Sequence, residues 1–268
     1  MMLDGWNWED VVYKEDVGIH MNWPRMTISK GQNAEPEEKQ RESIGKILEG
    51  IRGFFAEAKT YSLNNSPEEK NLRLEAMKDL FNGNKKLFVH CNFVKEIIAA
   101  ANFCKEFRIK MVLVGGMDSW RVADLLKENN IPVIIVRTHA MPPREDEDID
   151  LPFKLPYLLT KAGVTVCITD GGSWAQRNIP FQAGTASAYG LTREEALMCI
   201  TSNPAKVLGI DATTGTVETG KDATFFISTG DALNMKTNNV EYAFIQGKQI
   251  NLDDVQKQLY RKYMKKYG

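Results

Sequence analysis

Four short apolar runs constrain this chain more than any other feature: residues 87–90, 111–114, 132–136 and 164–168. Each is rich in Val, Ile and Leu at consecutive rather than alternating positions, the pattern of strands buried on both faces, as in parallel sheets. Their starts fall about 22 to 32 residues apart, the length of one strand-helix unit. Helical patterns fill the gaps. Val94, Ile97, Ile98, Ala101 and Phe107 recur at helical spacing. Asp118 and Ser119 are suited to cap a helix over 120–128, with Val122, Leu125 and Leu126 on one face. A further helix is expected near 157–162. The expected class is α/β, a parallel sheet packed on its outside by helices.

The flanks read differently. Residues 35–59 predict one long helix, with Ile44, Ile47, Leu48, Ile51, Phe54 and Phe55 on its apolar side. Residues 67–81 predict another, with Pro67 in its first turn. Only one strand is expected earlier, around 11–19. From Gly215 the pattern turns to β: strands at 215–217, 223–227 and 240–245, then a hairpin turn at Gly247 and Lys248. Residues 252–267 predict an amphipathic helix on Leu252, Val255, Leu259 and Tyr263. The expected organisation is 1–209, 210–250 and 251–268. The acidic run 144–148 reads as a solvated loop.

Charge and composition exclude several functions. With 34 basic and 35 acidic side chains the net charge is -1, without the basic excess of a nucleic-acid binder. No apolar run approaches the ~20 residues of a membrane span. The first six residues have neither the basic nor the apolar region of a signal peptide, so the cytoplasm is the default compartment. A signal peptide on a missing upstream segment would instead place the protein in the periplasm or outside the cell. Cys91, Cys104, Cys167 and Cys199 form no C-x-x-C pair; Cys167, in a strand-like run, and Cys199, in a helical one, are expected as buried free thiols.

Sites in parallel α/β proteins form at the carboxyl ends of strands, and three ends here carry chemistry. His90 closes the first run, Thr138 and His139 follow the third, and Thr169 and Asp170 follow the fourth, ahead of Gly171 and Gly172. A histidine and a carboxylate meeting at one mouth can hold a metal with an open position for water. Each also has a plain structural reading: a hydrogen-bonded histidine, a turn aspartate, a surface His139. Trp120 and Trp174 suit packing or a pocket wall.

The region after residue 190 adds a resemblance. Residues 191–197, then Thr201, Ser202, Asn203, Pro204, Ala205 and Lys206, then Leu208 and Gly209, then 215–223 resemble the carboxyl-terminal signature of the amidohydrolase superfamily. They are most similar to its imidazolonepropionase-like branch. Weaker similarity surrounds His90, residues 114–124 and residues 170–184. The resemblance implies a (β/α)8, TIM-type barrel with a small β-sandwich, here a partial barrel with a sandwich remnant. It implies hydrolysis of non-peptide C–N bonds in small amides or cyclic amides, by water activated on zinc or another divalent metal. By position, His90 corresponds to the strand-five metal ligand. Asp170 corresponds to the strand-eight aspartate that binds metal and takes the proton from water. His139, Trp120 and Trp174 would contact substrate.

The correspondence is incomplete. Gly115, Gly116, Met117 and Asp118 stand where the strand-six histidine belongs, and none of the three histidines has another two positions away. Thr224 replaces the usual Asp after Gly220, Lys221, Asp222 and Ala223. The chain also predicts four clear strands and one more before them, not eight, as though it begins at an internal methionine. Metal binding is therefore expected to be weak or absent, and the rival reading is a non-catalytic descendant that keeps the fold and a small-molecule pocket. Sheet edges left open by absent strands would favour a homo-oligomer or a partner segment.

Overall fold

In the computed structural model, which describes residues 7, 9–31, 33–64 and 69–268, five parallel strands form one sheet in sequence order. They are β1 (Gly18–Asn22), β2 (Lys86–Cys91), β3 (Met111–Gly115), β4 (Val133–Ile135) and β5 (Val166–Ile168). Helices α1 (Glu37–Ser62) and α2 (Leu72–Phe81) lie between β1 and β2. α3 (Val94–Phe107), α4 (Ala123–Glu128) and α5 (Leu151–Lys161) make the next three connections. After β5 come α6 (Ile179–Ala188), α7 (Arg193–Met198) and α8 (Ser202–Leu208), then an antiparallel sheet of β6 (Phe225–Ser228), β7 (Val240–Ile245) and β8 (Lys248–Gln249), and finally α9 (Val255–Tyr267).

The consecutive apolar pattern has a direct cause. On one face of the parallel sheet Leu87, Val89, Leu113, Val133 and Val166 enter the main core with Ile97, Leu126 and Leu159 from the helices. On the other face Phe88, Val112, Val114 and Cys167 gather against Val207 of α8. Phe88 and Val112 stand side by side in register. Both faces are thus covered along the lower part of the sheet, leaving polar residues to the carboxyl ends.

Several elements differ from expectation, each for a local reason. β1 starts only at Gly18, near the end of the expected 11–19 stretch, and runs on to Asn22, because Asp16 (φ 52°) breaks the extended path just before it. α2 starts at Leu72, where the Asn71 carboxamide oxygen accepts from the N–H groups of Arg73 (3.1 Å) and Leu74 (3.4 Å); Pro67 lies outside the described residues. A 3-10 turn, Ser119–Val122, precedes α4. The Asp118 carboxylate does not cap it but accepts instead from the Val94 N–H at the start of α3. The helix expected near 157–162 begins six residues earlier, at Leu151, with Pro152 in its first turn. Residues 215–217 are not a strand. Gly215 (φ 95°) lies where a Cβ would meet that of Ala205 at 2.6 Å, so this stretch turns against α8.

The loop at 144–148 is not simply solvated. Arg144 forks onto Asp118 with both bonds at 2.7 Å, and Glu147, its side chain nearly buried, takes Arg121 at 3.2 Å. These ion pairs tie the loop between β4 and α5 across the end of β3.

The two edges of the parallel sheet also differ from each other. The β5 edge is covered: the Ile168 N–H donates to the Cys199 carbonyl at 2.9 Å, and the Asn203 carboxamide donates to the Val166 carbonyl at 2.9 Å. The turn between α7 and α8 and the signature Asn203 thus satisfy this edge without another strand. At the opposite edge β1 has no strand beyond it among the described residues. All four cysteines are free and buried, and burial pushes each thiol up to about 12, leaving them protonated and unreactive.

Candidate functional site

A cavity of about 660 Å³ opens at the carboxyl ends of the strands. Asn22 and Trp23 follow β1, and His90 and Asn92 stand at the end of β2. Gly115 closes β3, Val136 and Arg137 follow β4, and Asp170 follows β5; all line the cavity. Loop residues Ala140, Met141 and Pro143 and the α5 residues Leu151, Pro152 and Leu155 form the remaining wall. The β4–α5 loop stays over the cavity because the Arg144–Asp118 pair holds it there.

His90 and Asp170, from strand ends 80 positions apart, border this one space. His90 Nε2 stands 2.8 Å from His20 Nδ1, and the His20 ring stacks on Phe88 at 4.8 Å between centroids. Burial, and then the neighbouring His20, hold the His90 imidazole below its ordinary value and favour its neutral form.

Asp170 is 6% exposed, and each of its oxygens holds one firm hydrogen bond. Oδ1 accepts from the Gly172 N–H at 3.0 Å, and Oδ2 from the Gln182 carboxamide at 2.7 Å. The Arg137 guanidinium approaches both oxygens more loosely, at 3.3 and 3.5 Å. The Gly172 N–H above all, together with Arg137 and Gln182, holds the carboxyl below its ordinary range against the opposing effect of burial. Gln182 is itself fixed, its Oε1 taking the Thr138 N–H at 2.8 Å.

The other sequence candidates stand apart from the cavity. His139 is not among its lining residues; its Nε2 lies 2.6 Å from Thr185 Oγ1, and burial, then the charge of Arg137, lower its basicity. Trp174 is 77% exposed beneath the Arg177 guanidinium, 4.4 Å from its ring centre. Trp120 packs against the main core with Arg121 over its ring at 4.5 Å. Among the described residues, Trp23 is the tryptophan that borders the cavity. Sequence reasoning also missed His20, Arg137 and Gln182. Arg137 immediately follows a strand run, the one signal that pointed to it.

The described residues do not suit a divalent metal. No group of three or more His, Cys, Asp or Glu is placed to hold one among them. The segment standing for the strand-six histidine is locked in another shape. Gly115 has φ 98°, and a Cβ there would fall 2.5 Å from Asn92 Oδ1. Gly116 has φ 64°, and a Cβ would fall 2.9 Å from a Leu113 methyl. Asp118 is committed to Arg144. Three protein ligands with water are usual for a catalytic zinc, and here one of the two candidates already faces a guanidinium.

Residues 121–250 match the sequence model of the amidohydrolase family. Among solved structures, the fold is similar to that of an amidohydrolase from Thermotoga maritima (24% identity, TM-score 0.76), over 91% of this chain and 64% of that one. It is also similar to a Xaa-Pro dipeptidase solved with methionine in its active site (13% identity, TM-score 0.52), over 92% of this chain and 63% of that one. This chain therefore spans less than two thirds of either relative. A search of curated protein sequences gives no match.

Proposed function

We propose that this chain is of the amidohydrolase type, as the family-model match over residues 121–250 and the similar fold support, that the strand-end cavity is its small-molecule site, and that this chain alone binds without hydrolysing. The fold would be part of a (β/α)8 barrel, and the signature after residue 190 supports the imidazolonepropionase-like branch. One observation carries the reading: Asp170, the expected metal ligand and base, has both oxygens occupied by Gly172, Gln182 and Arg137. Each oxygen thus already holds one firm donor, from Gly172 or Gln182, and a metal cation there would face the positive charge of Arg137.

A second reading keeps the family's chemistry, hydrolysis of small amides or cyclic amides by water activated on a divalent metal. The observation in its favour is that His90 and Asp170 line one cavity. Further ligands would then come from another segment or subunit. Metal content after purification without chelator, together with amine release from a panel of small amides and cyclic amides, separates the two. The expected outcome is substoichiometric zinc and no turnover. One chelator-resistant zinc per chain with turnover would overturn the first reading.

A further inference from the structure

Arg137 and Arg144 both face a buried aspartate, and the comparison between them is informative. Arg144 grips Asp118 with two bonds of 2.7 Å, the length of a charge-assisted pair, and Asp118 takes one weaker bond besides, from Val94 at 3.3 Å. Asp170 is satisfied more fully without its arginine, by Gly172 and Gln182 at 3.0 and 2.7 Å. Arg137 stands off at 3.3 and 3.5 Å, too long for a committed pair. Its side chain is 52% exposed. A guanidinium has five N–H donors in a planar fork. Two of them point at Asp170, and the Nη1 group has no protein partner among the described residues. Among the described residues, Arg137 is also the only lysine or arginine lining the cavity.

The rest of the cavity fixes what such a fork would meet. Trp23, Val136, Met141, Pro143 and Leu155 present apolar surface, and Asn22 and Asn92 add neutral polar groups. We infer that the cavity binds a small organic carboxylate with an apolar body, its carboxylate on the Arg137 guanidinium and its body against the Trp23–Leu155 wall. Asp170 acts as the support that aims Arg137, not as an acceptor for the ligand. A planar fork suits a carboxylate better than a point charge does, and the apolar wall favours a ligand larger than acetate.

The inference rests on the small-molecule reading above, and its test is separate from metal content. Binding of phenylacetate, its neutral analogue phenylacetamide, and acetate is measured by calorimetry on the full chain. Phenylacetate is expected to bind at least about tenfold more tightly than phenylacetamide, as a charge-assisted hydrogen bond exceeds a neutral one, and more tightly than acetate. Arg137→Gln should remove the preference over the amide and Arg137→Lys should restore part of it, with circular dichroism confirming that both variants are folded. The comparison of the three probes on the unaltered chain needs no variant. Equal binding of phenylacetate and phenylacetamide, no binding of phenylacetate, acetate binding as tightly as phenylacetate, or a preference that survives in folded Arg137→Gln would each overturn it. Stoichiometric zinc in the same preparation would instead count against the preceding reading.

Discussion

The central strands of the parallel sheet and strand β6 of the antiparallel sheet after residue 224 are both apolar runs, yet they are buried very differently. Val89, Leu113, Val133 and Val166 are fully buried, because helices cover one face of β1–β5 and Val207 with its neighbours covers much of the other. Phe226 and Ile227 on β6 are 49% and 47% exposed, and no residue of α9 is buried. Phe225 pairs with Phe244 and Ile227 with Tyr242 across β6 and β7, so these four share one face of the small sheet. An apolar run specifies that a strand forms; whether it is buried depends on a second layer. The first region carries its second layer between its own strands, as each crossover helix folds back onto the sheet.

The sharpest way to break this comparison is a cavity in the covered region. Leu113→Ala removes a fully buried side chain from the middle of β3 and should cost about 2–5 kcal/mol. Denaturant unfolding monitored by circular dichroism measures it. A loss well under 1 kcal/mol would mean that the parallel sheet is no better packed than the small one.

A middle-sized effect is expected where the loop is tied over the cavity. Arg144→Ala leaves the buried Asp118 with only the Val94 N–H at 3.3 Å and the looser approach of Arg121 at 3.8 Å, and should cost about 1–3 kcal/mol, the range for a buried group left without its main partner. Burial raises the Asp118 carboxyl, but the bonds and charge of Arg144 outweigh it and hold it below the ordinary range. A depressed carboxylate stabilises the fold above its unfolded value near pH 4, and that contribution is lost as pH falls through the lower folded value. The difference between the wild type and Arg144→Ala should therefore be full at neutral pH and shrink below about pH 4. A difference that grows on acidification would show that the pair does not stabilise the loop.

The parts legible in the sequence follow the same division. β2 to β5 were legible because both-face burial leaves consecutive apolar residues. α1 and α9 were legible from their periodicity, although periodicity cannot say whether anything covers the apolar side. His90 and Asp170 were legible as strand ends. What sits against them was not. Gln182 reaches Asp170 across a turn and a helix, and Arg137 across a whole strand-helix unit. His20 meets His90 only through the register that sets Asn22 beside His90. Such contacts are products of topology and carry no local pattern. Asn203 was visible as part of a family signature, but its physical task, closing the β5 edge at Val166, needed the fold.

The smallest effect belongs to the uncovered sheet. Ile227, about half exposed, lies on the face shared by Phe225, Tyr242 and Phe244. Ile227→Ser removes little buried area there, so its effect on stability should stay within about 0.5 kcal/mol. The same substitution interrupts the apolar face at its centre, and contiguous exposed apolar surface favours association. Light scattering after gel filtration at micromolar concentration should therefore show a lower mass for Ile227→Ser than for the wild type, while the unfolding midpoint scarcely moves. A large loss of stability with unchanged mass would reverse the comparison, because it would mean that this face is already covered within the chain.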